Sequence, residues 1–314
     1  MTEIPYETLD LRRTAEEARR AERLRGIYHA AQDLAWDGRE VLPALIATHG
    51  GVHAEPRAVR AIGRIFSVIL WGELAAWRIS AQLAADLVPL EAKMAATSQA
   101  FDEARHFYVM YDYLSALGVK PEPMPRASRE LLELVLRQRD LTLKLVGMQL
   151  MVETTALTIF QAVRETGAEP VLCALLPYYE KDEARHVGLG VQHLPSCLKG
   201  MGRTGLARMT GYELRLIYWE LASLAALEDD LRVLGIRAGE IVRLGTAKQL
   251  QAHEAMWAQI GEYDRGFEKL MTRAVHTVCE VRFPEDGSPR GALERITSAR
   301  KVWRDGGYDS RAVS

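Results

Sequence analysis

Cysteine is scarce in this 314-residue chain: Cys173, Cys197 and Cys279 are all there is, with no C-x-x-C pair. An odd, sparse count excludes a disulfide scaffold and fits reduced thiols in a cytoplasmic setting. Charge of one sign is also lacking. Forty Lys and Arg against 42 Asp and Glu leave a formal net charge of -2, which gives no field for holding a nucleic acid. The first 25 residues are charged and contain no apolar core, so no secretory signal is read there. Long alternating runs of β-branched residues are absent, which argues against a β fold. What is present is ordinary globular usage, 48% apolar and 26% charged, which excludes a disordered or collagen-like chain.

Ala, Leu, Glu, Arg and Gln dominate, and the pattern reads as all-α. Expected helices cover about 12–33, 56–87, 90–117, 128–165 and 168–194, with two or three more over 203–282. Pro43, Gly50 and Gly51 mark a loop, three prolines make 118–125 a connector, and Pro177 is expected to kink the fifth helix. The division that follows is a helical arm (1–55), a bundle core (56–200), additional helices packed on it (201–282), and a mobile or wrapping tail (283–314). One stretch imitates a membrane span: between Lys144 and Arg164 the only ionisable side chain is Glu153. It also carries Gln149, Thr154, Thr155, Thr158 and Gln161 and has no companion, so a helix buried inside a bundle explains it better.

The central feature is an internal repeat. Asp102-Glu103-Ala104-Arg105-His106 recurs letter for letter 80 residues later as Asp182-Glu183-Ala184-Arg185-His186. Thirty residues before each Glu-x-x-His stands a lone glutamate in an apolar helix, Glu73 and Glu153, again 80 apart. A buried carboxylate without a partner costs several kcal/mol or takes up a proton, and neither stretch offers a Lys or Arg. Residues i and i+3 lie about 60° apart on a helix, so Glu103 with His106 and Glu183 with His186 can each reach one ion. Two divalent cations then balance four carboxylates. One Glu from each of two helices with Glu-x-x-His from each of two others is the ligand set of di-iron and di-manganese carboxylate bundles. Metal-bound histidines give their second N–H to an acceptor; Asp102 and Asp182 suit that role, each for the histidine of the opposite helix, with Arg105 and Arg185 balancing the aspartates.

Other polar residues share these faces. Tyr179 and Gln99 lie four residues before Glu183 and Glu103, and Gln149 lies four before Glu153, so Tyr179 and Gln149 are candidate catalytic groups. Trp77, Tyr113 and His193 read as core residues, Glu180 as a salt-bridged glutamate or an extra ligand, and Cys173 and Cys197 as structural. Phe66, Trp71, Leu74, Leu150, Met151, Leu157 and Phe160 are expected to line the site with apolar surface.

On these motifs the sequence resembles the ferritin-like superfamily, over roughly 56–194, in the branch that holds ribonucleotide reductase small subunits. Multicomponent monooxygenase hydroxylases, acyl-carrier-protein desaturases and related di-iron N-oxygenases and oxidases share that branch. The resemblance implies a ferritin-like four-helix bundle core with additional N- and C-terminal helices. It implies Glu73, Glu103 and His106 on one metal and Glu153, Glu183 and His186 on the other, with some glutamates bridging. The metals would be two Fe ions, with Mn/Fe or Zn substitution, and O2 the co-substrate. It further implies a small organic substrate, an external electron donor and a homodimer. Departures narrow the activity. The radical tyrosine of the reductases would fall at Met110. The valine and tyrosine crosslinked in ligand-binding oxidases would fall at Ala75 and Met148. The extra histidine of arylamine N-oxygenases would fall at Tyr179, and the hydroxylase threonine at Ala156 or Leu157. The expectation is an oxygen-activating di-iron oxygenase or oxidase carrying out hydroxylation, N-oxygenation or desaturation. The alternatives are a ferroxidase or metal-handling protein, a ligand-binding Mn/Fe oxidase, or a bundle with a vestigial site.

Overall fold

The structure, a computed structural model, describes residues 12, 16, 22–260, 265–284 and 291–305, with the backbone alone for 265–271. Among these residues every regular element is a helix. In chain order they are α1 (Glu22–Asp33), α2 (Gly38–His49), α3 (Pro56–Asp86), α4 (Leu90–Ala116), α5 (Arg126–Leu136) and α6 (Leu141–Leu145). A π-helical stretch (Val146–Val152) comes next, then α7 (Glu153–Thr166), α8 (Pro170–Leu198) and α9 (Arg203–Ala226). The last are α10 (Glu228–Val233), α11 (Ala238–Ile260), α12 (Arg265–Arg282) and α13 (Ala292–Asp305).

Two hairpins make the core. α3 packs along α4, and α7 with its π-helical lead packs along α8. Local chemistry sets their ends. Pro56 opens α3, where a missing N–H costs nothing. Gly118 (φ 77°) closes α4 and Gly167 (φ 63°) closes α7 in the left-handed region that favours glycine. Glu169 caps α8: its carboxylate accepts from the N–H groups of Val171 (3.2 Å) and Leu172 (2.7 Å) and from the Tyr113 hydroxyl (3.1 Å). Phe66 of α3 stacks on Phe160 of α7, both fully buried, and each such side chain contributes about 1.5–3 kcal/mol of burial. The apolar stretch around Glu153 lies inside this core, with 78% of its most apolar window buried, which accounts for its composition. α1 and α2 cover α4 and α8, while α11 lies across α7 and α8.

Several boundaries differ from the sequence reading. The helix expected over 128–165 is interrupted, because the Gln138 side chain accepts from the N–H groups of Arg139 and Asp140 and competes with the helix ladder. Asp140 then restarts the helix by accepting from Thr142 and Leu143. Pro43 sits inside α2 and marks no loop; the turn comes at Gly50. Pro195 does not end α8, which runs on to Leu198, held by Leu194 and Leu198 in the core. In the expected tail, 292–305 forms α13 against α12. Residues 285–290 and 306–314, and most of 12–21 of the expected first helix, lie outside the described residues.

Candidate metal centre

The two hairpins bring Glu73 from α3, Glu103 and His106 from α4, Glu153 from α7, and Glu183 and His186 from α8 to one place, all buried. Their donor atoms form two overlapping groups, Glu73–Glu103–His106–Glu183 and Glu103–Glu153–Glu183–His186, each within 4.8 Å. Glu103 and Glu183 belong to both, so each lies within reach of either group.

Both imidazoles point the same way. Nδ1 of His106 lies 3.4 Å from Glu73, 3.5 Å from Glu103 and 3.4 Å from Glu183. Nδ1 of His186 lies 3.0 Å from Glu183, 3.2 Å from Glu103 and 3.7 Å from Glu153. Nε2 faces outward in each case, His106 to Asp182 (3.0 Å) and His186 to Asp102 (3.2 Å), the crossed pairing read from the repeat. A carboxylate only accepts, so Nε2 carries a proton, and Nδ1 is the nitrogen turned toward the inner glutamates, free to bind a cation once its own proton leaves. Arg105 bonds Asp102 (2.5 Å) and Asp182 (2.8 Å), and Arg185 bonds Asp182 (2.5 Å) and Asp102 (3.1 Å). These two arginines balance the two aspartates and leave the four inner glutamates with only the two histidines as counter-charge.

The residues fit a pair of divalent cations. Glu103 Oε2 and His106 Nδ1 are buried with no hydrogen-bond partner, a costly state unless something binds them. The electrostatics say the same. Burial, the largest influence, holds the Glu73 and Glu153 carboxyls well above the usual range. Burial would also raise Glu103, but His186 and His106 outweigh it and drive it well below. Burial would lower both histidines, yet the surrounding carboxylates keep them well above their ordinary value. Without metal, protons take the positions that cations would hold.

The neighbours divide into those that touch the cluster and those that do not. Gln99 donates to Glu153 Oε1 (2.5 Å) and Glu103 Oε1 (3.2 Å), and Gln149 donates to Gln99 Oε1 (2.8 Å). Gln99 thus touches two carboxylates of the cluster, and Gln149 stands one residue further out. The Tyr179 ring stacks on His106 at 4.3 Å, but its hydroxyl donates to the His106 carbonyl (2.8 Å) and away from the carboxylates. Glu180 pairs with Arg164 (2.7 Å). His193 sits beside Cys197 (3.6 Å) and Tyr113 on Glu169, all off the cluster. Trp77 and Leu74 are exposed and line nothing, because both point out of α3. Sequence reasoning missed Trp36. Its indole N–H donates to Asp182 Oδ2 (2.8 Å), and it stacks near His106 with the Arg105 guanidinium 4.7 Å above it. It lies between α1 and α2, where no helical spacing could mark it.

Fold and donor set together describe a ferritin-like helical bundle with a buried carboxylate–histidine cluster that could hold two metal ions. No protein-family model matches the chain, nor does any curated protein. Solved structures share the fold. A Synechococcus protein with aldehyde deformylating oxidase activity aligns with TM-score 0.53 and 20% identity over 64% of this chain and 92% of its own. Two variants of an R2-like ligand-binding oxidase, each with an aerobically reconstituted Mn/Fe cofactor, align with TM-scores of 0.58 and 0.54. Their identities are 14% and 13%, over 74% and 73% of this chain and 93% and 92% of theirs.

Proposed function

We propose that the chain is an oxygen-activating dinuclear oxidase or oxygenase acting on a small organic molecule. Glu73, Glu103 and His106 would hold one metal and Glu153, Glu183 and His186 the other. The observation that carries this reading is the pair of overlapping buried donor groups with an orphaned Glu103 oxygen and an orphaned His106 nitrogen. Two iron ions, or manganese with iron, would supply the redox chemistry toward O2 when bound. The chain's own residues supply the rest. Asp102 and Asp182 fix the histidine tautomers. Gln99, steered by Gln149, holds the Glu103 and Glu153 carboxylates in place. Phe66, Phe160 and the Tyr179 ring exclude water around the centre. Tyr179 and Gln149 are therefore positioning groups in this reading. Hydroxylation, N-oxygenation and desaturation belong to the same proposal, as do an external electron donor and a cytoplasmic setting.

The test is metal content by mass spectrometry after anaerobic ferrous loading, beside stopped-flow absorbance on mixing with O2. Two irons per chain, lost in Glu103→Ala and Glu183→Ala, and a fast absorbance change are expected. A loaded protein inert toward O2 would leave the metal-handling alternative. A protein that binds no metal would overturn the reading.

A further inference from the structure

α13 is a helix with two unlike sides and no buried residue. Ser298, Ala299 and Val302 are half-buried, and this side rests on α12. The other side carries Leu293, Ile296 and Trp303, which are 79%, 51% and 43% exposed. Leu293 is the most exposed large apolar side chain among the described residues. On a helix these three fall within about 80° of one another. Arg300 lies inside that arc, Arg304 at its edge and Lys301 beyond it, all three exposed. Glu294 is turned back onto the Gly291 N–H (3.0 Å), and Asp305 accepts from Arg304 (3.2 Å) at the far end. With four basic and two acidic side chains α13 has a local charge of +2, while the whole chain stands at -2. α12 joins α13 to α11, so the helix lies at the margin of the fold.

We propose that α13 docks the chain on an anionic phospholipid bilayer, lying in the plane of the surface. At about 21 Å the helix is too short to cross the hydrocarbon. An apolar groove on another protein takes an unbroken stripe of apolar anchors, and Arg300 and Arg304 break this one. The same break suits the boundary between headgroups and acyl chains. Leu293, Ile296 and the Trp303 indole enter that boundary, while the long basic side chains reach back to the phosphates. Charge complementarity sets both the lipid and the orientation. Arg300, Lys301 and Arg304 each draw the helix toward a negative surface, and the rest of the chain, more acidic than basic, is held away from it. The proposal does not depend on the metal reading.

Vesicle flotation with the full chain tests it. The protein should float with vesicles of phosphatidylglycerol and phosphatidylcholine in equal parts and stay behind with phosphatidylcholine alone. Lys301→Gln and Arg304→Gln should each weaken binding roughly fivefold. Leu293→Ser should weaken it about tenfold or more. All three positions are exposed, so circular dichroism should match wild type. Brominated acyl chains should quench tryptophan fluorescence in wild type, and Trp303→Phe should lose that quenching. A wild type that ignores the mixed vesicles, or charge variants that bind as wild type does, would overturn the proposal. So would quenching that persists in Trp303→Phe. Binding that survives Leu293→Ser would also overturn it, since the contact would then be one that any polyanion, an acidic protein or a nucleic acid, could make.

Discussion

Replacing Asp182 by Asn tests whether the crossed aspartates serve the metals or merely the arginines. Asp182 Oδ2 accepts from His106 Nε2, Arg105 and Trp36, and Oδ1 accepts from Arg185. The amide keeps the shape, removes the charge and puts two donors where only acceptors are tolerated. One orientation sets its NH2 against Arg185; the other sets it against His106, Arg105 and Trp36. Loss of such an outer partner costs a metal ligand about 10- to 100-fold in affinity, or about 1.4–2.7 kcal/mol. Breaking a buried charge pair costs about 3–5 kcal/mol. The low end applies here, because Asp102 still bonds both arginines. The metal-free protein should therefore lose about 5 °C in Tm.

The assay is Co(II) titration followed by visible absorbance, with Asp102→Asn as the mirror variant. Asp182→Asn should weaken the binding step that involves His106, and Asp102→Asn the step that involves His186. Should both variants keep both steps within about twofold of wild type while losing thermal stability, the aspartates are counter-ions for Arg105 and Arg185 and nothing more.

Four other outcomes follow from the same geometry. The carboxylates hold His106 and His186 protonated above their ordinary range in the metal-free protein, so metal must displace protons. Affinity should rise with pH across neutrality, with proton release visible in calorimetry in two buffers, and a flat profile would contradict this. Glu153→Gln removes a carboxyl that burial disfavours in its charged form, so it should raise the Tm of the metal-free protein and lower that of the loaded one; a fall in both would make Glu153 a structural residue. Burial pushes Glu213 up to about 7 from 4.5. The unfolded chain ionises first as pH rises, so wild-type stability falls between those values and stays lowered above them. Denaturant melts at pH 5 and pH 8 should show Glu213→Gln gaining at pH 8 only, by roughly 3 kcal/mol at most. At Gly190 an added Cβ would meet the Gln149 Cβ at 2.5 Å. Gly190→Ala should cost about 1–3 kcal/mol and weaken metal binding by moving Gln149 off Gln99; unchanged binding would show that Gln149 has no bearing on the ligands.

The six residues of the cluster were legible in the sequence because burial makes an ionisable residue conspicuous. Glu73 and Glu153 are lone charges in apolar helices, and Asp102–His106 is repeated in full. The crossed aspartate–histidine pairs were legible for the same reason, since the repeat puts each aspartate beside the glutamate that faces the other helix. What the sequence hid depends on contacts between distant segments. Trp36 reaches Asp182 across 146 residues, and Gln99 reaches Glu153 across 54. The π-helical lead into Glu153 shifts side-chain register, and Gly147 within it is too common a residue in buried helices to announce the shift. The interruption at Gln138 turns on a side chain bonding its neighbours' backbone, a choice that composition leaves open.

The repeat duplicates what would hold the metals and the Asp–Arg pairs behind the histidines, but not the groups beyond them. At the 80-residue offset Gln99 corresponds to Tyr179 and Gln149 to Ile69, and among the described residues no second indole matches Trp36 by bonding Asp102. The His186 position therefore faces an amide that donates to Glu153 and Glu103, while the His106 position faces the ring of Tyr179. A hydrogen bond to a carboxylate draws negative charge away from a bound cation. A ring face offers Glu73, the carboxylate found only at the His106 position, no such donor and keeps water out. Two cations with matching ligands would thus sit in unlike fields, one softened by amide donors and one in a dry aromatic wall. In the oxidase proposed above, that inequality would set apart the places of O2 and substrate, and it would come from a few outer side chains, leaving the charge balance of the six cluster residues intact.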